Sequence, residues 1–180
     1  MAQTLERPTG EQVEKKSPVR IRKLGHVVYR VRDIERSVKF YTEILNFRVS
    51  DVNEGGMVFL NTCGDHHTIG LAQAAAGEAA QMPDRSQLGL GHFAMEVSSL
   101  DELFEIREFL KEQGVPIAGD GRKGPGCNIG VEFHDPDGYT VELYCNMDQI
   151  GPNNRSRPAE QWRRAKSLDE ARDNPLSVTW

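Results

Sequence analysis

Two stretches of this chain repeat each other at an offset of 92 − 26 = 66 residues. The first opens at Gly25-His26 and the second at Gly91-His92. Each has the pattern of a strand, a short turn and an amphipathic helix. A chain of 180 residues is long enough for one domain or a fused pair of half-domains, and hardly for two independent domains. The repeat therefore predicts two equivalent halves related by pseudosymmetry, with a cavity between them.

The first half begins with a weakly alternating strand over Lys23–Val31. Apolar residues at helical spacing then predict a helix from Ile34 to about Leu45, with the Asp33 carboxylate as its N-cap. Short apolar runs separated by Gly or Asp turns predict three further strands: Phe47–Val52, Met57–Asn61 and Thr68–Gln73.

The second half repeats this order. The strand His92–Val97 leads to a helix from about Leu100 to Gln113, which Gly114 can end in the left-handed conformation. The turn Asp135–Gly138 has the Pro and Gly of a tight hairpin. Three strands complete the half: Pro116–Ala118, Ile129–His134 and Tyr139–Cys145. Each half is thus predicted as one βαβββ module, at about residues 20–74 and 88–148, within a domain of residues 20–148.

Both ends of the chain are polar. Residues 1–19 are charged and contain proline, which predicts a mobile tail. Residues 149–180 form a second tail with one predicted helix around Pro158–Arg172. Trp162 and Trp180 in so polar a segment predict that it docks, either on its own domain or on a second subunit.

Composition excludes several classes of partner. The formal net charge of −5 and the pI near 5.6 argue against nucleic acid or an anionic membrane. No apolar run approaches the roughly 18 residues of a membrane span, and the first residues lack the apolar core of a signal peptide. Three scattered cysteines, Cys63, Cys127 and Cys145, indicate reduced thiols in a cytoplasmic protein.

The doubled βαβββ unit, the Gly-His start of both halves and the sequence DPDGYTVELY at residues 135–144 together resemble the vicinal oxygen chelate superfamily. This resemblance covers about residues 21–148. It implies an α+β fold in which two tandem βαβββ modules form a curved, open mixed β-barrel around a metal site. It also implies the ligands, which would be His26, His92 and Glu142. Members that act as lyases or epimerases usually have a fourth ligand, a Glu, near Thr68–Gln73, where only Gln73 is a candidate here.

Three ligands are the pattern of the single-domain type I extradiol dioxygenases. Two imidazoles and one carboxylate leave one face of a divalent iron open. A catechol-like aromatic and O2 would occupy that face. Fe(II) is therefore the predicted cofactor, with Mn(II) or another divalent metal as the alternative.

The pair His66-His67 resembles the paired histidines of extradiol enzymes, whose second member moves protons. An imidazole performs both acid and base steps near neutral pH, so His67 is the predicted catalytic residue; the alternative is a polar residue at a turn. Lys123 and Glu132 stand where dioxygenases usually have His and Tyr. They are predicted either to bind a charged substituent of the substrate or to form an exposed ion pair.

The leading prediction is a cytoplasmic, homodimeric, Fe(II)-dependent extradiol-type dioxygenase. One alternative is a metal-dependent isomerase or lyase of the glyoxalase or epimerase kind. Another is a metal-free small-molecule-binding protein of the resistance kind. The lyase would need a fourth ligand, and the binding protein would have lost the three that are present.

Overall fold

The computed structural model describes residues 17–84, 86–150 and 155–177. It contains two βαβββ modules, which confirms the predicted α+β class and tandem arrangement. The first module comprises β1 (Val27–Val31), α1 (Ile34–Glu43), β2 (Arg48–Val52), β3 (Val58–Asn61) and β4 (Ile69–Gln73). The second comprises β5 (Phe93–Glu96), α2 (Leu100–Glu112), β6 (Ile117–Arg122), β7 (Ile129–His134) and β8 (Thr140–Cys145).

Each module forms one four-stranded mixed sheet. The strand orders are β1-β4-β3-β2 and β5-β8-β7-β6. In both sheets the first strand lies parallel to the last, and the remaining pairs are antiparallel. The two sheets do not join into a closed barrel among the described residues, in keeping with the open arrangement that the resemblance implies.

The helix ends follow from local sequence. The Asp33 carboxylate accepts from the backbone N–H of Arg36 at 3.0 Å, and this N-cap is as predicted. The Ser99 hydroxyl caps α2 in the same way, accepting from Glu102 at 3.1 Å. Gly114 follows α2 with φ of +71°. That conformation is the reason for glycine at this position.

Each helix covers one face of its own sheet. The first core contains Tyr29, Val31, Tyr41, Leu60 and Leu71. The second contains Leu103, Leu110, Val131, Phe133 and Val141. Alternate residues along the strands point away from these cores, because successive strand side chains face opposite sides. The repeated histidines precede strands whose alternate residues lie on that open face.

A buried carboxylate joins the modules. Asp137, in the β7–β8 turn, accepts from the Arg32 backbone N–H at 3.0 Å and from the Ser37 hydroxyl at 3.1 Å. It also pairs with the guanidinium groups of Arg32 and Arg36. The hydroxyl of Tyr41 donates to the neighbouring Asp135 at 3.1 Å. The turn of the second module thus holds the start of α1 in the first.

Three elements differ from their predicted bounds by more than two residues. β1 begins at Val27 and not at Lys23. β6 extends to Arg122 because Gly119–Arg122 continue the ladder with β7 beyond a bulge. The helix predicted around Pro158–Arg172 is divided into a 3₁₀ turn, Ala159–Gln161, and a helix α3, Leu168–Asp173. The break follows from Arg163, whose φ of +43° is not helical. The predicted docking of Trp162 occurs on the second module, where its ring lies against Gly124.

The remaining predictions about the tails concern residues 1–16 and Trp180, which lie outside the described residues. The described chain begins at Ser17 and has no regular secondary structure before β1. None of the helices in the described ranges has the length and apolar composition needed to cross a membrane.

Candidate metal and substrate site

Glu142 lies on the open face of the second sheet. Its strand neighbours Val141 and Leu143 pack in the helix-side core, so Glu142 must point the other way. It is aligned with Ala94 on one side and with Glu132 on the other. Only 4% of the residue is exposed. A charge so buried is costly without partners.

Three residues surround this carboxylate. The amide of Asn128 donates to Oε1 at 2.7 Å, and Oε2 lies 3.5 Å from Nε2 of His92. On the adjacent strand, a Cβ at Gly130 would come within 2.6 Å of Oε1. The carboxylate therefore fits on the sheet face because residue 130 is a glycine and has no side chain.

Burial is the main influence on the ionisation of Glu142. It raises the pKa of the carboxyl above its usual range, and the nearby charge of Glu132 acts in the same direction. His92, Lys123 and the amide of Asn128 oppose the rise in pKa without cancelling it. A cation placed beside the carboxylate would remove this penalty, and His92 is the neighbour best placed to share such a cation.

The other two predicted histidines lie together on the first module. The rings of His26 and His67 are 4.4 Å apart between centroids. His67 also packs edge-on against Phe59 at 5.0 Å, and its Nδ1 lies 3.1 Å from Nδ1 of His66. Phe59 is aligned with Gly70, and Gly70 with Val28, two residues after His26. His67 thus contacts the sheet face to which His26 belongs.

The predicted ligands therefore fall into two places, His92 with Glu142 and His26 with His67. Within the described ranges, no three His, Cys, Asp or Glu side chains form a group that could hold a metal ion. In kind, two imidazoles and a buried carboxylate fit a divalent transition metal. The three-residue site of His26, His92 and Glu142 remains a prediction.

Gln73 cannot serve as a fourth ligand in this arrangement. Its amide oxygen accepts from the backbone N–H of Ile34 at 3.1 Å, and its amide nitrogen donates to the Arg32 carbonyl. It is aligned with Val31, a residue of the helix-side core. The position equivalent to Glu142 is Gly70, which the sequence argument missed because strand register was needed to find it.

Lys123 and Glu132 form an ion pair 3.1 Å long, with 38% and 24% of their side chains exposed. Glu132 is the cross-strand neighbour of Glu142. The ion pair is partly exposed and lies beside the buried carboxylate, while the contact of these two residues with a substrate stays a prediction. Asn128 was missed by the sequence argument, since its loop gives no sign of which polar residue turns inward.

A groove of about 730 Å³ lies between the modules elsewhere. Phe47, Met95 and Phe109 are among its lining residues, and none of the six predicted site residues lines it. Its position on the helix side separates it from the open face that carries Glu142. The candidate site therefore lies on the open face beside Glu142 and not in this groove.

Comparison with known proteins agrees with this architecture. Residues 23–143 match the model of the glyoxalase/bleomycin resistance protein/dioxygenase superfamily. "Glyoxylase I 4" of Arabidopsis thaliana is 26% identical over 74% of this chain and 76% of its own length. "Biphenyl-2,3-diol 1,2-dioxygenase" of Paraburkholderia xenovorans (strain LB400) is 30% identical over 66% of this chain, which spans only 39% of that relative.

A solved structure shows the same fold. Lactoylglutathione lyase from Agrobacterium tumefaciens superposes with a TM-score of 0.54 at 20% identity, over 68% of this chain and 92% of that one. The relatives thus include both dioxygenases and lyases. The match over residues 23–143 covers more than half of the 180 residues and both modules. This chain therefore belongs to the glyoxalase/bleomycin resistance protein/dioxygenase superfamily.

Proposed function

We propose that this protein is a non-haem, Fe(II)-dependent dioxygenase of the extradiol type, which opens the ring of a catechol-like aromatic with O2. The observation that most supports this is the absence of a carboxylate opposite Val28, where Gly70 stands in place of a fourth ligand. Three protein ligands suit a reaction in which two substrates must share one open face. Mn(II) is the alternative metal.

His26, His92 and Glu142 would hold the metal in this proposal. When bound, it would act as a Lewis acid for the catechol oxygens and would pass electrons from the catechol to O2. Glu142 contributes the negative charge, and its burial excludes water from that side of the site. His92 and His26 contribute neutral nitrogen donors.

The two halves of the site would meet in a homodimer. His26 and His92 are both exposed, on sheet faces that open outward within one chain. Beside His26 lie four exposed apolar residues: Val19, Ile21, Leu24 and Val28. A second copy would cover this surface and bring His26 and His67 of one protomer opposite His92 and Glu142 of its partner.

We expect a dimer in sedimentation. Mixing inactive His26→Ala and Glu142→Gln variants should restore partial activity, because one of the two sites in a mixed dimer then has both residues intact.

His67 would move the protons. Its ring lies 4.4 Å from that of His26. If His26 holds the metal, His67 would accept a proton from the second catechol hydroxyl and return it as the ring opens. Lys123 would contact an anionic substituent of the substrate. Glu132 would make that contact selective, since a substrate group must replace it on the Lys123 ammonium. A cytoplasmic location completes the proposal.

The test is iron content and oxygen uptake with a panel of catechols, using anaerobically purified protein. His67→Ala should lower turnover by at least a hundredfold, in line with about 10²–10⁴ for acid–base groups, and leave iron content unchanged. His134→Ala is the control, because it removes an exposed imidazole of β7 that is not a predicted site residue, and it should retain turnover. Loss of iron in His67→Ala would contradict the assigned role.

An isomerase or lyase is the second candidate, because lyases occur among the relatives and solved structures. This reaction would proceed without oxygen uptake and with bound zinc, nickel or cobalt. Protein that holds no metal after reconstitution would exclude both enzymes and leave a binding protein.

A further inference from the structure

The amide of Asn128 contacts the Glu142 carboxylate directly. Both residues are buried, with 7% and 4% exposed. The amide donates to Oε1 at 2.7 Å, while Oε2 is directed at His92, 3.5 Å away. A carboxylate held at one oxygen loses its freedom to rotate, so the second oxygen has a defined direction.

Asn128 gets its own direction from an unusual loop, residues 123–128. The two residues before it have left-handed backbones, with φ of +83° at Gly126 and +51° at Cys127. Positive φ is uncommon for a residue with a side chain. Within the loop, Lys123 N–H donates to the Asn128 carbonyl and Cys127 N–H to the Gly124 carbonyl, both at 3.0 Å. Both of these hydrogen bonds lie within the loop, and its other contacts come from residues outside it.

The C-terminal segment, residues 155–177, supplies that support. The Trp162 ring lies against Gly124, where a Cβ would meet ring atoms at 3.1 Å. The Cys127 thiol donates to the Trp162 carbonyl at 3.5 Å. From the residues after β8, Asp148 N–H donates to the Gly126 carbonyl at 2.7 Å. The loop is therefore held on its outer side, away from Glu142.

Two further contacts fasten the segment itself. Arg157 makes a two-pronged, buried ion pair with Asp148, at 2.7 and 2.8 Å. Arg122 and Ala165 exchange backbone hydrogen bonds at 3.0 and 3.2 Å, which adds a bridge to the edge of β6. The family match ends at residue 143. The segment thus lies outside the family match and contacts the loop that carries Asn128.

We propose that Asn128 is a positioning residue for Glu142. In this proposal the C-terminal segment fixes the direction of the Asn128 side chain by holding the loop of residues 123–128. This inference rests on the proposed function where it assigns the second oxygen of Glu142 to a metal. It assigns the segment a role in the geometry of the site as well as in stability.

The first test uses full-length Asn128→Ala with Co(II) as the probe metal. Loss of the amide should raise the Kd for Co(II) about 10–100-fold, the usual cost of removing a partner of a metal ligand. The visible absorption of bound Co(II) should also change, because the carboxylate can rotate. Gln149→Ala is the control, since it removes an exposed amide next to Asp148 and should alter neither. An unchanged Kd and spectrum in Asn128→Ala would overturn the proposal.

The second test separates the loop contact from general stability. Trp162→Ala removes the ring against Gly124. Arg172→Ala removes a different stacking contact of the same segment, 3.5 Å above the Phe104 ring. Trp162→Ala should raise the Co(II) Kd several-fold, and Arg172→Ala should leave it unchanged. An equal increase in the Co(II) Kd of both variants would show that the segment acts only by stabilising the fold.

A metal-free measurement keeps this inference separate from the proposed function. If the wild-type protein binds no divalent metal, the proposed dioxygenase fails. The urea midpoints of Asn128→Ala, Glu142→Gln and the double variant then decide the positioning contact. A change in the double variant that differs from the sum of the two single changes supports it, and strict additivity overturns it.

Discussion

The two modules have the same strand order but different residues at one equivalent position. Two residues after the repeated histidine, Val28 is aligned with Gly70 in the first module and Ala94 with Glu142 in the second. One face therefore carries a carboxylate where the other has no side chain. Around Glu142 the second module has an amide donor, an imidazole and a lysine. Around Gly70 the first module has an exposed valine.

This difference shows what a buried ligand requires. A carboxylate on a sheet face must have donors and nearby cations, or its burial destabilises the fold. Only the second module supplies them. The first is free to carry neutral groups, and it presents His26 and His67 instead. The second half thus provides the negative charge together with one imidazole, and the first half provides imidazoles without a carboxylate at the position of Glu142.

The largest expected effect comes from removing that charge. Glu142→Gln should weaken divalent-metal binding by more than about a hundredfold, because even partners of ligands are worth 10–100-fold. The metal-free variant should melt at the same temperature or higher, since burial opposes the negative charge that glutamine lacks. Calorimetry of metal binding and thermal unfolding together check both results.

Glu132→Gln is the control for this comparison, because Glu132 is the cross-strand neighbour of Glu142 and lies beside Lys123. It should keep metal affinity within a few-fold. A loss as large as that of Glu142→Gln would mean that the ligand had been assigned to the wrong strand.

The hairpin turns also differ between the modules, because the carboxylate in the turn of the second module is buried and the one in the turn of the first is exposed. The β7–β8 turn places Asp137, with 2% of its side chain exposed, between Arg32 and Arg36 of the first module. The corresponding β3–β4 turn places Asp65 in a surface pair with Lys23, where 46% of the Asp65 side chain is exposed. One turn joins the modules and the other lies in solvent.

Asp137→Ala should therefore lower the free energy of unfolding by about 3 kcal/mol, the scale for breaking a buried ion pair. It removes the acceptor of the Ser37 hydroxyl and the carboxylate shared by two guanidinium groups, although Arg32 keeps the Ala80 carbonyl and Arg36 keeps Glu78. Asp65→Ala should cause only a small loss, because water replaces the surface partner. Urea unfolding of both variants measures the contrast, and equal losses would show that the Asp137 contact does not join the modules.

Much of this fold could be predicted from the sequence, because periodicity, caps and turn residues are local. The Asp33 cap, the Gly114 helix end and the hairpin at residues 135–138 are all where the sequence placed them. The pairing of Gly70 with Val28 and the inward turn of Asn128 depend on register and on distant residues. Those two features required the structure, as did the separation of His26 from Glu142.

The smallest effect concerns pH. Burial raises the pKa of Asp135, although it accepts hydrogen bonds from two backbone N–H groups and from Tyr41. Its charge therefore costs stability above the folded pKa, and this cost disappears as the pH falls towards the unfolded value of about 3.9. Asp135→Asn keeps the Oδ1 acceptor and removes the charge. Relative to wild type, its free energy of unfolding should be larger at pH 7 than at pH 4.

Asp65→Asn should show the opposite pH dependence. The Lys23 ammonium lowers the pKa of Asp65, so that pair stabilises the protein above the ordinary carboxyl pKa and is lost as the pH falls. Urea unfolding at pH 4 and pH 7 gives, for each variant, the change with pH in the free energy of unfolding relative to wild type. An effect of the substitution on hydrogen bonding that is the same at both pH values cancels in this difference. Slopes of the same sign would contradict the assignment of one turn to the interior and the other to the surface.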